Sequence, residues 1–360
     1  MKRNSPRRVT IKDIARQAGF SKTAVSFAFN MPGRLSEKTT HKILSVAREL
    51  GYTPNPIARS LNTRRTHALG VIVPQDIPDV LQNPFFPALM RGVGQVCKQE
   101  GMSLMIVPPM RGSVVDATYA ALIDGCIVSG LEPDDEAVHA LKQRGVPFVM
   151  LDTDSPKGIA AVNIDDFEGA RMAMQHLLDL GHRHIAIATF QSITGRVEDY
   201  TGTIGHRFDG IRAALKTRKL SLKSEGIYMW ECSCNVKGGS EIMAHIMEQT
   251  PRPTAVLALA DVIAYGIIED TKARGLRVPE DLSVIGFDDL DTSSLIQPAL
   301  TTVRQPIVEK GRKAAELLMA MLHRGGDRGE EHHPEHVVLP VELMVRESTV
   351  ALHKTQDSRL

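Results

Sequence analysis

The pattern of apolar and polar positions changes in character along the chain. Up to about residue 50, apolar residues recur at spacings of three and four, which predicts three short amphipathic helices. Thr10, Ser21 and Ser36 stand where helix N-caps are expected, and Gly19 and Gly51 suit the left-handed turns that end helices. Two short amphipathic helices joined by a tight turn are typical of a helix-turn-helix motif.

From Ala68 onward, short continuous apolar runs alternate with helical patterns, as expected of buried parallel strands joined by helices. The first series contains the runs ALGVIVP, SLMIVP, DGCIVS and VPFVMLD. A second series begins near residue 161 and contains the runs HIAIATF, GIYMW, AVLALA and LSVIGFDD. Two such series predict two lobes, each a doubly wound parallel sheet, with a cleft between them that suits a small ligand.

These patterns define the expected domains. Residues 1–66 form an all-α head that ends in a hinge helix at about 56–62, which is too short to be stable alone and should order only on DNA and a partner subunit. Residues 67–352 form the body, and 353–360 form a tail. Within the body we expect an N-lobe of about 67–166 and 301–328 and a C-lobe of about 167–299 and 332–352.

Charge divides the chain at the same place. Residues 1–66 contain five Lys and nine Arg against one Asp and two Glu, a net charge of +11, whereas the whole chain is +1 and the remainder is −10. A basic helical head is expected of a domain that neutralises DNA phosphates and releases their counterions. The alternative is a small helical subdomain with a solvated basic face.

The second helix of a helix-turn-helix motif lies in the DNA major groove, where its exposed N-terminal side chains meet base edges. In this chain those side chains are Lys22, Thr23, Ser26 and Phe27. Lys22 can donate to guanine acceptors, Thr23 can bond a base or a phosphate, and Phe27 can contact a thymine methyl group. The sequence therefore predicts double-stranded DNA as a partner.

Composition is that of an ordinary globular protein, with 42% hydrophobic residues in 360. No apolar run approaches the ~18–20 residues of a membrane span. The basic N-terminus MKRNSPRRV is not followed by the apolar region of a signal peptide. We therefore expect a cytoplasmic protein without a membrane partner.

Two groups of residues have side chains that can bind metals. Cys232 and Cys234 form a C-x-C sequence, but no further Cys cluster completes a ligand set. His332, His333 and His336 lie in the segment RGGDRGEEHHPEH, whose polar, Gly-rich composition is typical of a surface loop. We expect neither a metal site nor a cofactor.

Residues 10–61 resemble the DNA-binding head of the lactose-repressor/galactose-repressor (LacI/GalR) family. The resemblance rests on TIKDIARQAG, the S-x-x-x-V-S of Ser21 to Ser26, Asn30, and the hinge GYTPNPIARSL. It implies that Thr10 and Asn30 belong to the DNA-binding surface, and that Leu61 enters the minor groove as a wedge that kinks the site. Members of the family often carry Arg or His where this chain has Phe27, so its half-site is expected to differ.

The body resembles the effector domain of the same family, which has the fold of periplasmic sugar-binding proteins. The matching stretches are NPFF, HLLDLGHRHIAI, RFDG, GLRVPEDLSVIGFDD, PALTTVRQP and LPVELMVREST. The resemblance implies an effector site between the lobes. Its expected residues are Phe86 at the mouth, Thr203, Arg207 and Asp288 as polar contacts, and Asp152 and Gln305 as further candidates.

An Arg donor opposite an Asp acceptor suits a polyhydroxy or carboxylate ligand, and a sugar is the default within the family. The alternative is that Arg207 and Asp288 simply pair with each other. In many relatives an aromatic residue stacks on the ligand, but the corresponding position here falls near Ser233 or Cys234, and neither side chain can stack. Trp230 either takes the place of that aromatic residue or belongs to the core. Asp261 is interpreted as a helix N-cap.

The expected function is an effector-responsive transcriptional repressor that binds a palindromic operator as a homodimer. A solute receptor is the second interpretation, and the basic head counts against it. An enzyme is the third, but the sequence lacks the G-x-x-x-x-G-K-[ST], G-x-S-x-G and H-E-x-x-H motifs, and we expect no catalytic residues. The identity of the effector and the sign of its effect stay open.

Overall fold

A computed structural model describes residues 9–54, 60, 65–154, 158–190, 200–324 and 335–352. The predicted hinge helix, Leu61, His332, His333 and the tail at 353–360 all lie outside the described residues, apart from Ser60. The chain divides into two compact units, Met1–Thr66 and His67–Leu360, which are treated separately below.

The first unit consists of three helices packed around a small apolar core. The helices are α1 (Ile11–Ala18), α2 (Lys22–Asn30) and α3 (Glu37–Glu49), with a 3-10 turn at Pro32–Arg34. Ile14, Val25 and Ile43 are fully buried where the three helices meet. The predicted helix-turn-helix is confirmed.

The N-caps of these helices are the three expected hydroxyl residues. Ser21 Oγ accepts a hydrogen bond from the Ala24 backbone at 3.1 Å. Ser36 Oγ accepts one from Thr39 at 3.3 Å. At Thr10, the backbone nitrogen and the hydroxyl both donate to Asp13 Oδ2, at 3.0 and 2.7 Å. These bonds satisfy backbone N–H groups that a helix leaves unpaired at its start, so the turn between α1 and α2 is well defined.

The second unit contains, within the described residues, two six-stranded sheets. The first has the order β11-β5-β4-β3-β1-β2, all parallel. Its strands are β1 (Ala68–Ile72), β2 (Ser103–Val107), β3 (Gly125–Ser129), β4 (Phe148–Leu151), β5 (Ala161–Ile164) and β11 (His336–Leu339). Its helices are α4 (Ile77–Gln82), α5 (Phe85–Glu100), α6 (Val114–Ala120), α7 (Glu136–Arg144) and α12 (Ile307–Arg324).

The second sheet has the order β12-β10-β9-β8-β6-β7 and is parallel except for β12, which runs antiparallel to β10. Its strands are β6 (Ile185–Phe190), β7 (Ile227–Cys232), β8 (Ala255–Ala258), β9 (Ser283–Asp288), β10 (Thr301–Arg304) and β12 (Glu342–Met344). Its helices are α8 (Asp166–Asp179), α9 (Gly202–Thr217), α10 (Val236–Glu248) and α11 (Asp261–Ala273). None of the described helices is long and apolar enough to cross a membrane.

Two strand assignments differ from the boundaries expected for the lobes. β10 was expected in the first lobe, within 301–328, but it pairs with β9 of the second sheet. β11 was expected in the second lobe, within 332–352, but it pairs with β5 of the first sheet. The hydrophobic pattern identifies these segments as strands, but it carries no information about which sheet edge they join. The crossings between lobes therefore fall at 305–306 and 340–341.

Helices α5 and α12 approach each other closely because each has a glycine at the contact. A Cβ atom at Gly92 would meet the carbonyl oxygen of Val308 and the backbone nitrogen of Arg312. A Cβ atom at Gly311 would meet the carbonyl oxygen of Leu89. This close packing fixes the position of α12, whose first turn carries Lys310, a partner of the cleft residue Asp152.

We predict that Gly92→Ala destabilises the second unit by about 1–3 kcal/mol or more, because backbone atoms of α12 cannot move aside for the added methyl group. Gly94→Ala is the matched control on the same helix, since a Cβ there has no neighbour within 4 Å. It should stabilise by up to about 1 kcal/mol, as expected for Gly→Ala within a helix. Urea denaturation followed by circular dichroism measures both, and equal effects of the two substitutions would contradict the close approach.

Candidate functional site

The first unit presents the predicted contact residues along one side of α2. Lys22 and Thr23 are exposed, whereas Ser26, Phe27 and Asn30 are half-buried. The Asn30 amide nitrogen donates to Ser26 Oγ at 3.4 Å, a weak bond that leaves both groups able to take other partners. The exposed N-terminal end of α2 therefore has the chemistry expected of a major-groove surface.

The second unit has a cavity of about 390 Å³ between its two lobes. Its lining comes from the loop after β4, from the segment joining β5 to α8, and from the first turns of α9. The lining residues are Asp152, Thr153, Asp154, Asn163, Ile164, Asp165, Asp166, Phe167, Thr203, His206 and Val338. Of the predicted effector residues, only Asp152 and Thr203 line this cavity.

A chain of buried hydrogen bonds leads from Asp152 to Asp288. Lys310 Nζ donates to both carboxylate oxygens of Asp152, at 2.8 and 2.7 Å, and to Gln305 Oε1 at 2.7 Å. Gln305 Nε2 donates to Asp288 Oδ1 at 2.5 Å. Lys310 is only 1% exposed, and its ammonium group also lies 4.9 Å from the centre of the Phe85 ring. The structure thus brings together three of the predicted residues through one lysine.

Arg207 is held by a second set of buried contacts. Its Nε donates to Asp166 Oδ1 at 2.7 Å, and its Nη1 donates to the Leu259 carbonyl at 2.6 Å. The guanidinium carbon lies 3.6 Å from the centre of the Phe287 ring. The alternative that Arg207 pairs with Asp288 is therefore wrong: Arg207 pairs with Asp166, because the start of α8 brings that carboxylate within bonding distance.

Burial controls the protonation of the cleft carboxylates. Burial, together with the nearby negative charge of Asp261, raises the pKa of Asp288 to about 7, against the opposing effects of Arg207, Gln305 and Lys310. Burial also raises the pKa of Asp166, and the positive charge of Arg207 opposes it. A carboxyl group with a pKa near neutrality can either accept or donate hydrogen bonds, so Asp288 can act in both roles.

Backbone strain is located at the same carboxylates. Asp152 has a φ of 56°, Asp288 has 132° and Asp289 has 53°, all in regions that non-glycine residues rarely adopt. Strained residues of this kind cluster at ligand-binding sites, where the surrounding structure holds them in place. Asp289 is fixed by Arg304 at 2.7 Å and by Arg346 at 2.5 Å.

The two lobes are bridged at the mouth of the cavity. Thr203 Oγ1 donates to the Asp152 carbonyl at 3.1 Å. Asp154 receives the Gly202 backbone N–H at 3.3 Å and lies 2.8 Å from His206 Nε2. Both aspartates follow β4 of the first lobe, whereas the three partners lie at the start of α9 in the second lobe. A movement that separates the loop after β4 from the start of α9 must break these bonds.

The remaining predictions on the body have clear structural outcomes. Phe86 is 9% exposed, packs edge-on against Phe85, and does not belong to the lining of the cavity. Asp261 does not act as an N-cap, because it is the first residue of α11 and Ala260 holds the cap position. It is instead a fully buried acceptor for Leu290 N, Ser293 Oγ and Thr302 Oγ1.

The aromatic and metal candidates lie elsewhere. Trp230 stacks on Tyr228 and on His245, with ring centres 5.8 Å apart in both cases, and it is absent from the cavity lining. His336 Nε2 lies 2.7 Å from the Ile159 carbonyl. Over the described residues, no group of three His, Cys, Asp or Glu side chains is arranged to hold a metal ion.

Sequence reasoning missed Lys310 and Asp166. Lys310 did leave a signal, because it falls on the apolar stripe formed by Ile307, Ala314 and Leu318 of α12, where a charged residue is unexpected. A lysine in that position has to find a buried partner. The sequence gives only a weak indication of Asp166, which is the second of two aspartates that follow β5.

The fold and the cleft define a two-lobed ligand-binding protein that also carries a helix-turn-helix unit. Comparison with known proteins agrees with this class. The chain matches the family "Bacterial regulatory proteins, lacI family" over residues 10–55 and "Periplasmic binding protein-like domain" over residues 174–349. It is 32% identical over 359 residues to the HTH-type transcriptional regulator DegA of Bacillus subtilis strain 168, a match that covers 96% of this chain and 99% of DegA.

Two solved structures give the same result. The lac repressor dimer bound to operator and the anti-inducer ONPF aligns with a TM-score of 0.77 at 25% identity, covering 96% of this chain and 100% of the repressor chain. The transcriptional regulator CelR–cellobiose complex aligns with a TM-score of 0.67 at 27% identity, covering 95% and 100%. The chain therefore belongs to the LacI family of bacterial transcriptional regulators, and it is a regulator rather than an enzyme.

We predict that Asp288 makes the stability of the second unit depend on pH. Because the folded-state pKa is raised above the unfolded value, the folded state holds this proton more tightly. The stabilising contribution is complete below pH ~4 and is lost as the pH rises through about 7. The unfolding free energy of Asp288→Asn should therefore fall less between pH 5 and 8 than that of the unsubstituted protein. Urea titrations followed by the fluorescence of Trp230, the single Trp, measure the difference.

Asp291→Asn is the control for this measurement, because it removes a carboxylate from the same loop whose side chain is 90% exposed. Parallel pH profiles for Asp288→Asn and the unsubstituted protein would show that Asp288 is ionised in the folded state throughout this range, contrary to the prediction.

Proposed function

We propose that the protein is a transcriptional repressor that binds a palindromic operator as a homodimer and is controlled by a small polar ligand, a sugar by default, in the inter-lobe cleft. In this proposal residues 1–66 read DNA and residues 67–352 bind the ligand. A repressor of chromosomal genes acts in the cytoplasm. The observation that carries the proposal is the polar network from Asp152 through Lys310 and Gln305 to Asp288, in a chain that also has a helix-turn-helix unit.

The DNA half of the proposal is supported by the surface of α2. Lys22 and Thr23 are exposed at its N-terminal end, and Ser26, Phe27 and Asn30 continue the row along the helix. The net charge of +11 on residues 1–66 supplies the attraction for phosphates. Leu61 is proposed as the minor-groove wedge on the resemblance alone, because it lies outside the described residues. Thr10 is proposed as a phosphate contact next to α1.

The ligand half is supported by the chemistry of the cleft. Arg207 offers a fork of donors, whereas Asp152, Asp166 and Asp288 offer acceptors, and this combination suits a molecule with several hydroxyl groups. The relatives point the same way, because CelR is solved with cellobiose, and LacI-family regulators from two Enterococcus species are solved with ribose. We propose Arg207, Asp288, Asp152, Gln305, Thr203 and Phe86 as the residues of the ligand site.

The homodimer is supported by exposed apolar side chains on the first lobe. Leu81, Met105, Met110, Tyr119 and Leu122 are between 38% and 70% exposed, and all five lie in the first lobe. Met105 belongs to β2, which is the edge strand of its sheet. A second copy packed against this edge would cover both the apolar side chains and the strand.

The ligand would act through the bonds that bridge the lobes. A molecule that replaces Thr203 as the partner of Asp152, or that opens the Asp154–His206 contact, changes the relative position of the lobes. Its effect on DNA binding equals its difference in affinity for the two lobe arrangements. A ligand that binds the closed arrangement better must therefore shift the population of the DNA-binding form.

We predict that the full-length protein selects a palindromic sequence from a pool of random duplexes. Its affinity for the selected duplex should fall by about 1,000-fold or more between 50 and 200 mM salt, because six or more phosphate contacts release counterions. Fluorescence anisotropy with a labelled duplex measures this loss. Failure to retain any duplex at 50 mM salt would reject the DNA-binding function.

We predict that Arg207→Ala abolishes the response to ligand and preserves DNA affinity without ligand, because the substitution removes the partner of Asp166, which lines the cavity, and leaves α2 unchanged. The probes are neutral sugars including cellobiose and ribose, first screened for an increase in thermal stability and then added to the protein–duplex complex. Arg212→Ala is the matched control on the same helix, since Arg212 forms an exposed pair with Asp209. An unchanged response in Arg207→Ala would exclude Arg207 from the site.

A further inference from the structure

The turn that follows α2 places Arg34 over the aromatic ring of Phe27, which is one of the predicted base-contacting residues of α2. The guanidinium carbon of Arg34 lies 5.5 Å from the centre of the Phe27 ring. Arg34 ends the 3-10 turn at Pro32–Arg34, and its backbone nitrogen donates to the Met31 carbonyl at 3.0 Å. The position of Arg34 beside α2 is therefore fixed by backbone bonding as well as by the ring.

Arg34 lies beside the side chains that α2 presents, because its guanidinium group covers the Phe27 ring. It is not part of the helical row itself, since α2 ends at Asn30 and Met31 has a non-helical φ of −147°. Arg34 is exposed, and among the described residues it has no carboxylate partner, whereas Arg16 is paired with Asp13 at 2.9 Å. Its charge is therefore available to an incoming anion or base edge.

The combination of a ring and a guanidinium has a specific advantage for reading DNA. An Arg side chain loses roughly 2 kcal/mol of rotamer freedom when it is fixed, and an aromatic face limits that freedom before binding. A planar guanidinium can donate two parallel hydrogen bonds to O6 and N7 of guanine, which is the commonest specific contact in the major groove. Phe27 cannot make such a contact itself.

We propose that Arg34, held over the Phe27 ring, reads a guanine in the major groove, and that Phe27 serves as the platform for this arginine. This inference rests on the proposed DNA-binding function and adds a specificity-determining residue to it. The base-reading group then comes from the turn after the recognition helix, and Lys22 and Thr23 read the opposite end of the same half-site.

The test is a selection from random duplexes with the full-length protein, compared between the unsubstituted chain, Arg34→Ala, Arg34→Lys and Phe27→Leu. We expect Arg34→Ala to lose the preference for one G·C pair in each half-site, by about 5- to 150-fold, with the other positions retained. Arg34→Lys should restore only part of the preference, because an ammonium group cannot donate two parallel bonds. Phe27→Leu should weaken the preference at the same pair without changing the charge.

Lys42→Ala is the matched control, because Lys42 also forms a cation–π pair among the described residues of this unit, 5.4 Å from the Phe20 ring. It removes the same charge and should leave the preferred sequence unchanged. Arg34 would be a phosphate contact only, and the inference overturned, if Arg34→Ala weakened all duplexes equally with a smaller salt dependence. If the unsubstituted protein selected no sequence at all, the proposed DNA-binding function itself would fail. Thermal unfolding of each variant shows whether a lost base preference reflects a lost contact with DNA or a loss of folded protein.

Discussion

The second unit depends on one constraint, which is that charges removed from water must be paired. Lys310 is almost completely buried, and its ammonium group is stable there only because Asp152 and Gln305 surround it. The buried guanidinium group of Arg207 is paired in the same way, with Asp166 and the Leu259 carbonyl. These contacts fix the side chains on both sides of the cleft, and they also determine which polar groups a ligand will find.

The pairing has a direct consequence for ligand binding. A ligand that uses Asp152, Gln305 or Asp288 must share or replace partners that the protein already supplies, so its affinity is the difference between two sets of hydrogen bonds. The strained backbone at Asp152 and Asp288 lowers the cost of rearranging these residues. A ligand that matches the geometry of the site gains most, and one that leaves a buried carboxylate unpaired loses affinity steeply. Selectivity therefore follows from burial more than from the number of contacts.

Much of the architecture could be predicted from the sequence because it depends on local pattern. The caps at Ser21 and Ser36 and the buried strand runs were identified directly, since N-cap chemistry and hydrophobic continuity act over a few residues. The sheet membership of β10 and β11 could not be predicted, because strand pairing is decided by distant segments. The partners of Arg207 were equally inaccessible: Asp166 is 41 residues away, and only the fold brings the two together. Lys310 could have been identified from the sequence, because it is a charged residue on the apolar stripe of α12.

Two residues of the buried polar contacts lie on the segments that join the lobes. The chain passes between the lobes after β5, between β10 and α12, and between β11 and β12. Asp166 lies on the first of these crossings, whereas Gln305 lies on the second, one turn before Lys310. The first and third crossings are joined by a hydrogen bond from Asp165 N to the Leu339 carbonyl at 3.2 Å. Because Asp166 and Gln305 belong to the crossings themselves, any change in their hydrogen bonds acts directly on the segments that join the lobes.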